Sequence, residues 1–133
     1  MLETALVCLA LNIYFEARSE PLEGQQAVAE VTLRRARRSG DSVCTTVYSP
    51  HQFSWTSLPE ERRRVTDLRA WLLAGRVASS ALSGWSDHAR GATHFHADYA
   101  APSWAGSLCP TARIGRHLFY AECAERIAES TAR

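Results

Sequence analysis

Apolar residues recur at helical spacing in the first third of the chain and again in its middle. This period predicts helices over roughly residues 3–18, 21–38, 43–48 and 57–83, the last with a bend near Gly75. The second and fourth of these begin with proline beside acidic residues, and Ser39-Gly40-Asp41 follows the second. Such residues are common where helices start and stop, which supports these boundaries.

Three other stretches alternate polar and apolar residues, which is the period of a half-buried strand. They are residues 51–55, 91–97 and 112–120, and a short helix is predicted over 121–133. In the second stretch, strand geometry would place Thr93 and Phe95 on one face and His94 and His96 on the other. Helices with a small inserted antiparallel sheet predict an α+β fold, and 133 residues suit a single domain.

The net charge of the chain gives little information about its partners. The formal net charge is +1, so bulk electrostatics give no argument for nucleic acid. Arginines 34, 35, 37 and 38 form a local basic cluster. That cluster is either a solvated helix end, where cations complement the helix dipole, or a dock for an anionic polymer.

The four cysteines show no C-x-x-C spacing, which argues against a zinc knuckle. Cys8 and Cys123 fall within predicted helices and are interpreted as small buried apolar residues. Cys44 and Cys109 lie in loop-like contexts. These two could pair in an oxidising compartment, but the sequence alone leaves the connectivity open.

Glu16 is the main candidate for chemistry. It ends an apolar helical run and follows Tyr14 and Phe15, with Asn12 one turn before it. Burial among such residues would raise the pKa of a carboxyl group, as a general acid requires. The alternative interpretation is a helix-end carboxylate that pairs with Arg18 or caps the next helix.

Other candidate sites are weaker. His94 and His96, with His88 nearby, could bind a metal, but no third ligand has a characteristic spacing. No G-x-S-x-G elbow indicates a serine hydrolase. Aromatic residues in predicted loops could either stack on sugars or cover the sheet; they are Trp55, Trp85, Tyr99 and Trp104.

Five ordered blocks carry a resemblance to a known family. They are NIYFEARSEPLEGQQAVAEVTL, VCTTVYSPHQFSW, GATHFHA, PSW and TARIGRHLFY. They resemble the cell-wall hydrolases typified by the spore-cortex-lytic enzyme SleB. The resemblance implies a lysozyme-like fold, cleavage of peptidoglycan glycan strands between N-acetylmuramic acid and N-acetylglucosamine, and Glu16 as the catalytic acid. The chain departs from the pattern at Ser19, where glycine is usual, and at Arg34, where asparagine often precedes arginine.

The resemblance also implies a lytic transglycosylase, which leaves a 1,6-anhydro end and can work with one acid. Ordinary glycosidases use two carboxylates. If a second exists here, the candidates are Glu20, Glu23, Glu30 and Asp98. Hydrolysis with a second acid therefore stays open. So do a metal-dependent amidase that uses His94 and His96, and a peptidoglycan-binding module without turnover.

The expected glycan groove combines amide, hydroxyl, imidazole and aromatic groups. Its predicted members are Tyr14, Gln52, Ser54, Trp55, Thr93, His94, His96 and Trp104. We expect peptidoglycan as the partner, no cofactor or metal, no nucleic acid, no membrane insertion and a monomer. No secretory signal is visible, so we expect synthesis in the cytoplasm and action on the cell wall. Synthesis in the cytoplasm followed by action on the cell wall would suit a phage or prophage endolysin that a holin releases. It would also suit a fragment of a longer protein.

Overall fold

The computed structural model describes residues 3–84 and 86–124. These residues form four α-helices, three β-strands and short 3₁₀ turns at Ser54–Ser57, Glu60–Arg63 and Ser103–Ser107. The helices are α1 (Ala5–Ala17), α2 (Leu22–Ser39), α3 (Val43–Tyr48) and α4 (Leu68–Ser83), and the strands are β1 (His94–Ala97), β2 (Cys109–Ile114) and β3 (His117–Ala121). The predicted α+β class, mostly helical with a small antiparallel sheet, is confirmed.

Helix α1 is the centre of the helical layer, because it packs against α2, α3 and α4. Leu9 and Ile13 are fully buried in one cluster with Ala29 of α2 and with Ala74 and Val77 of α4. This cluster consists of the apolar positions that the helical period selects. No helix in the described ranges is long and apolar enough to cross a membrane.

The sheet has the strand order β1-β3-β2, and both pairs are antiparallel. Phe95 of β1 lies opposite Phe119 of β3. Phe119 is fully buried in a second cluster with Val28 and Val31 of α2. The sheet therefore lies against α2, and one end of β1 is held near the end of α1.

Two strand predictions are wrong. Residues 51–55 do not form a strand: Phe53 is extended, but a 3₁₀ turn starts at Ser54. Residues 112–120 are two strands rather than one, because the chain reverses at Gly115, which has a φ of 57°. Glycine adopts this left-handed conformation at low cost, so the sequence Ile-Gly-Arg-His encodes a hairpin turn.

The fourth helix begins later than predicted. Residues 60–63 form a separate 3₁₀ turn, and α4 starts at Leu68 without a break at Gly75. The Asp67 side chain accepts a hydrogen bond from the Ala70 amide, which caps the helix. In the helix predicted over 121–133, Ala121 instead ends β3. Residues 125–133 lie outside the described part, as does Trp85.

The interpretation of Cys8 and Cys123 as unpaired apolar residues is wrong, and the possible bond between Cys44 and Cys109 is not formed. Cys8 pairs with Cys44, and Cys109 pairs with Cys123, with Cα–Cα distances of 5.3 and 4.9 Å. The first bond joins α1 to α3, and the second joins the start of β2 to the segment after β3. Positions within separate predicted elements do not show that Cys8 lies beside a cysteine of α3, and Cys123 beside one of β2, after folding.

Gly115→Ala is expected to lower the free energy of unfolding by about 2 kcal/mol or more. An added Cβ would adopt an unfavourable φ, would collide with the Glu20 carboxylate and would lie 2.9 Å from Pro21 Cδ. Gly75→Ala is the matched control, since no atom lies within 4 Å of its Cβ position. Alanine should stabilise that helical site by about 0.5–1 kcal/mol. Urea denaturation of both variants measures the difference; equal effects would contradict this role of Gly115.

Candidate functional site

An open groove of about 710 Å³ lies between the end of α1, the segment after α3, and the end of β1 with its following loop. Buried or half-buried aromatic rings form its floor, and exposed polar side chains form one wall. Its lining residues are Phe15, Glu16, Arg35, His51, Gln52, Phe53, Ser54, Trp55, Ser57, Phe95, His96, Ala97, Tyr99, Ala100, Pro102, Trp104 and His117. Five of the eight predicted groove residues therefore line it, namely Gln52, Ser54, Trp55, His96 and Trp104.

Glu16 lies in the last turn of α1 and is half-buried in this groove. Burial raises the pKa of its carboxyl group to about 7, and the nearby Arg35 guanidinium opposes part of that rise. Among the groove-lining residues in the described ranges, Glu16 is the only carboxylate. The site therefore places one group that can carry a proton near neutral pH on an aromatic surface.

Arg35 is the cation of the groove. Its Nε donates to the Thr93 carbonyl at 2.6 Å, and one terminal nitrogen lies 3.4 Å from Gln52 Oε1. The guanidinium also stacks over the Phe53 ring at 5.2 Å. Arg34 similarly donates to the Ala92 carbonyl at 2.6 Å. The interpretation of the basic cluster as a solvated helix end is thus wrong for these two residues, which tie α2 to the segment before β1.

Trp55 is held in place by a buried polar chain. Its indole nitrogen donates to Asn12 Oδ1 at 2.8 Å, and Asn12 Nδ2 donates to the Thr32 hydroxyl at 3.0 Å. The ring stacks on Phe15, with centroids 4.7 Å apart. Trp55 is only 5% exposed. It therefore supports the groove floor and offers substrate only a small part of its surface.

The predicted faces of β1 are confirmed for His94, Phe95 and His96, whereas Thr93 lies before the strand. His94 and His96 both contact the Trp104 ring, at centroid distances of 5.0 and 5.7 Å. Phe95 packs on the opposite side against Phe119. His96 Nδ1 lies 2.7 Å from the Ala97 carbonyl, which can only accept, so this nitrogen carries the proton.

The other nitrogen of His96 then accepts from the Tyr120 hydroxyl at 2.9 Å. Both ring nitrogens are therefore engaged within the protein. His94 Nδ1 is likewise 2.9 Å from the Thr93 hydroxyl. In the described part of the chain no three His, Cys, Asp or Glu side chains converge as metal ligands. The hydrogen bonds of His96 thus favour a structural interpretation of this pair over a metal site.

His117 enters the groove from β3 and is 6% exposed. Burial lowers the pKa of its imidazole below the usual range, although Glu20 and Asp98 oppose that effect. Its Nδ1 has no partner among the described residues. The ring is therefore neutral near pH 7 and packs against Phe95 at a centroid distance of 5.1 Å.

Thr93 and His94 lie beside the groove rather than in it. They line an adjoining depression of about 440 Å³, which shares Arg35 and Gln52 with the groove. Thr93 is 5% exposed, so its side chain offers little surface to a ligand. His94 is half-buried.

The prediction for Tyr14 as a substrate contact is wrong. Tyr14 is 1% exposed and does not line the groove. Its hydroxyl accepts hydrogen bonds from the Thr66 and Asp67 amides at 3.1 and 3.0 Å. Because Tyr14 is two residues before Glu16, it points to a different side of α1. It secures the start of α4 instead.

Tyr14→Phe is expected to lower the free energy of unfolding by about 1–2 kcal/mol, because two amides lose their acceptor. The values of kcat and KM on peptidoglycan should stay within about twofold of wild type, since the ring and the groove are unchanged. Denaturation and steady-state kinetics together test this. A large rise in KM with unchanged stability would restore Tyr14 as a substrate contact.

The candidates for a second carboxylate have other partners or positions. Glu20 accepts from the Arg116 amide at 2.7 Å, and Asp98 lies 3.6 Å from Arg113. Glu30 accepts from the His88 and Ala89 amides at 3.1 and 2.8 Å, which orders the loop after α4. Glu23 is exposed in the first turn of α2. None of the four lines the Glu16 groove.

Several groove residues were missed from the sequence. Phe15, Phe53 and Phe95 have the aromatic character of a sugar site but are also ordinary core residues. His51 and Ser57 lie in turns without a recognisable motif. Tyr99 is 90% exposed, and its place among the loop aromatics is a signal that could have found it.

Comparisons with known proteins agree with this architecture. A family described as Cell Wall Hydrolase matches residues 19–120, a range that begins three residues after Glu16. Spore cortex-lytic enzymes from Oceanobacillus iheyensis and Bacillus subtilis are 31% and 30% identical over 117 residues. Each alignment covers 84% of this chain but only 39% and 35% of the relative. The chain thus spans little more than a third of the length of these relatives.

Solved structures give the fold. The catalytic domain of the germination-specific lytic transglycosylase SleB from Bacillus anthracis superposes with a TM-score of 0.74 at 23% identity. That alignment covers 91% of this chain and 97% of the other. The catalytic domain of Bacillus cereus SleB gives a TM-score of 0.68. The SleB-type, lysozyme-like fold is confirmed, and the family match over most of its length shows that this chain belongs to the cell wall hydrolase family.

Proposed function

We propose that this protein cleaves the glycan strands of peptidoglycan as a lytic transglycosylase, with Glu16 as both acid and base. The observation that carries the proposal is the groove itself. It presents a single half-buried carboxylate with a raised pKa, surrounded by aromatic rings and polar side chains. The names of the relatives support the same class of reaction.

The reaction needs one proton donor and no water. Glu16, protonated, gives its proton to the glycosidic oxygen, and the bond from that oxygen to C1 of N-acetylmuramic acid breaks. The positive charge that develops at C1 is stabilised by the acetamido group of the sugar or by nearby dipoles. The Glu16 carboxylate then takes the proton of the muramic O6 hydroxyl, whose oxygen bonds to C1.

Arg35 supports the second half of this cycle. Its charge favours the ionised form of Glu16 and thereby limits the rise in pKa. A carboxyl group whose pKa lies near the working pH can both give and take a proton. Three contacts of the Arg35 guanidinium, with the Thr93 carbonyl, Gln52 and the Phe53 ring, hold this cation in place without requiring the substrate.

The test is mass spectrometry of soluble fragments released from purified peptidoglycan by wild type and by Glu16→Gln. We expect 1,6-anhydro muropeptides from wild type and none from the variant. Reducing ends would show that water attacks C1 and that the reaction is hydrolysis. Cleavage of peptide bonds or of the lactyl amide, with intact glycan strands, would exclude the proposal.

We also propose that the protein acts in the cell envelope. Two disulfides support this, because such bonds persist in oxidising compartments. Release by a phage holin is one route to that location. Fractionation of cells that produce the protein, followed by thiol counting in each fraction, tests the location.

A further inference from the structure

His51 lines the groove in a left-handed backbone conformation that is uncommon for residues other than glycine. Its φ is 65°, and only one other described non-glycine residue, Arg90, has a positive φ. Gln52 N donates to Ser49 O at 3.3 Å, which closes a turn over Ser49-Pro50-His51-Gln52. With proline second and a positive φ third, this is a type II turn, in which glycine or asparagine is preferred at the third position.

The His51 side chain makes no contact that would stabilise the fold. The residue is exposed, and its ring has no hydrogen bond, ion pair or aromatic contact with any described residue. A residue held in an unfavourable conformation without a structural partner points to a role outside folding. His51 lines the same groove as Glu16, which identifies the surface where that role would be exerted.

The turn is also well placed and firmly held. It follows α3 directly, and the Ser49 hydroxyl donates to the Thr45 carbonyl at 2.7 Å. The neighbouring Gln52 lies 3.4 Å from Arg35, which itself influences the Glu16 carboxylate. The His51 imidazole is thus presented from a hydrogen-bonded turn in the groove that Glu16 also lines.

We propose that His51 is a substrate-binding residue that hydrogen-bonds a hydroxyl or acetamido group of an amino sugar in the groove. Imidazole supplies one donor and one acceptor, which suits both groups. The inference rests on the proposed glycan-cleaving function. It assigns to this chain a polar substrate contact in the groove that Glu16 also lines, and it explains why a histidine occupies a position where glycine or asparagine is preferred.

The decisive variant is His51→Gly, with Arg90→Gly as its matched control. Arg90 is also exposed and has a φ of 53°, but it lines neither the groove nor the adjoining depression. In both variants the relief of left-handed strain offsets the greater freedom of glycine in the unfolded chain. Both are therefore expected to melt within about 2 °C of wild type or above it.

Steady-state kinetics on solubilised peptidoglycan strands should then distinguish His51→Gly from Arg90→Gly. We expect His51→Gly to raise KM about threefold to tenfold, the effect of losing one hydrogen bond, with kcat changed less than twofold. Arg90→Gly should match wild type. An unchanged KM in His51→Gly, alongside an active wild type, would overturn the inference and leave the proposed function intact. An inactive wild type would overturn both.

Discussion

Glu16→Gln is expected to slow glycan cleavage by about 10²–10⁴-fold, the usual contribution of general acid–base catalysis. The amide has nearly the size of the acid but cannot transfer a proton to the leaving oxygen. No other carboxylate lines the groove in the described ranges, so no second carboxyl group is there to replace it. Dye release from labelled peptidoglycan measures the rate. Wild-type activity in the variant would exclude Glu16 as the acid.

The pH dependence of kcat/KM in the wild-type protein tests the role of Glu16 independently. Only protonated Glu16 can begin the reaction, and burial raises its pKa to about 7. We therefore expect kcat/KM to fall above about pH 7, tenfold per pH unit. Arg35→Gln should move this fall to higher pH, because the cation that favours the carboxylate is removed.

The free energy of unfolding shows whether Glu16→Gln loses activity because the proton donor is missing or because the fold is disrupted. The carboxyl pKa rises from 4.5 in the unfolded chain to about 7 in the fold. The native state therefore holds this proton more tightly. The stability associated with it is fully present below pH 4.5 and is lost as pH rises to about 7.

Above that pH, ionised Glu16 reduces the free energy of unfolding by up to about 3 kcal/mol. Glu16→Gln avoids the charge, so the variant should be more stable than wild type at pH 8. The difference should be small at pH 5. Urea denaturation at both pH values checks this. A variant that is inactive and less stable at pH 8 would mean that the amide disrupts the fold, and its inactivity would then say nothing about catalysis.

The sequence could predict those parts of the fold that depend on the local spacing of apolar residues and on the residues that end helices. Helix α3 was predicted at its observed bounds, and Gly40 ends α2 in a left-handed conformation. The faces of β1 followed from strand geometry alone. The start of α4 could not be predicted, because the Tyr14 hydroxyl that accepts from Thr66 and Asp67 is more than fifty residues away.

The site shows the same division. Glu16 stands out because a carboxylate ending an apolar helix is unusual on local grounds. The prediction for Tyr14 rests on its closeness to Glu16 in sequence. Residues two positions apart on a helix point in different directions, so closeness in sequence does not place both in the groove. Arg35 was predicted only as part of a basic cluster. Its bonds to Thr93 and Gln52 depend on how the sheet docks onto α2.

Removing the Cys8–Cys44 bond is expected to have the largest effect on stability. The bond closes a loop of 36 residues and the Cys109–Cys123 bond one of 14. Loop-closure entropy assigns about 4 kcal/mol to the first and about 3 kcal/mol to the second. For a chain of this size, the Cys8→Ala/Cys44→Ala variant should melt about 10–15 °C below wild type. Cys109→Ala/Cys123→Ala should lose somewhat less.

Single variants distinguish the observed pairing from Cys44–Cys109, the pairing suggested by loop context. In Cys44→Ala, the observed pairing leaves Cys8 as the free thiol and keeps Cys109 bonded to Cys123. The alternative would free Cys109 in addition to Cys8 and Cys123, which it leaves unpaired. Alkylation without reduction, followed by peptide mapping, identifies the labelled cysteine. Label on Cys8 alone would also explain the stability loss, because that cysteine fixes the first turns of the helix that carries Glu16.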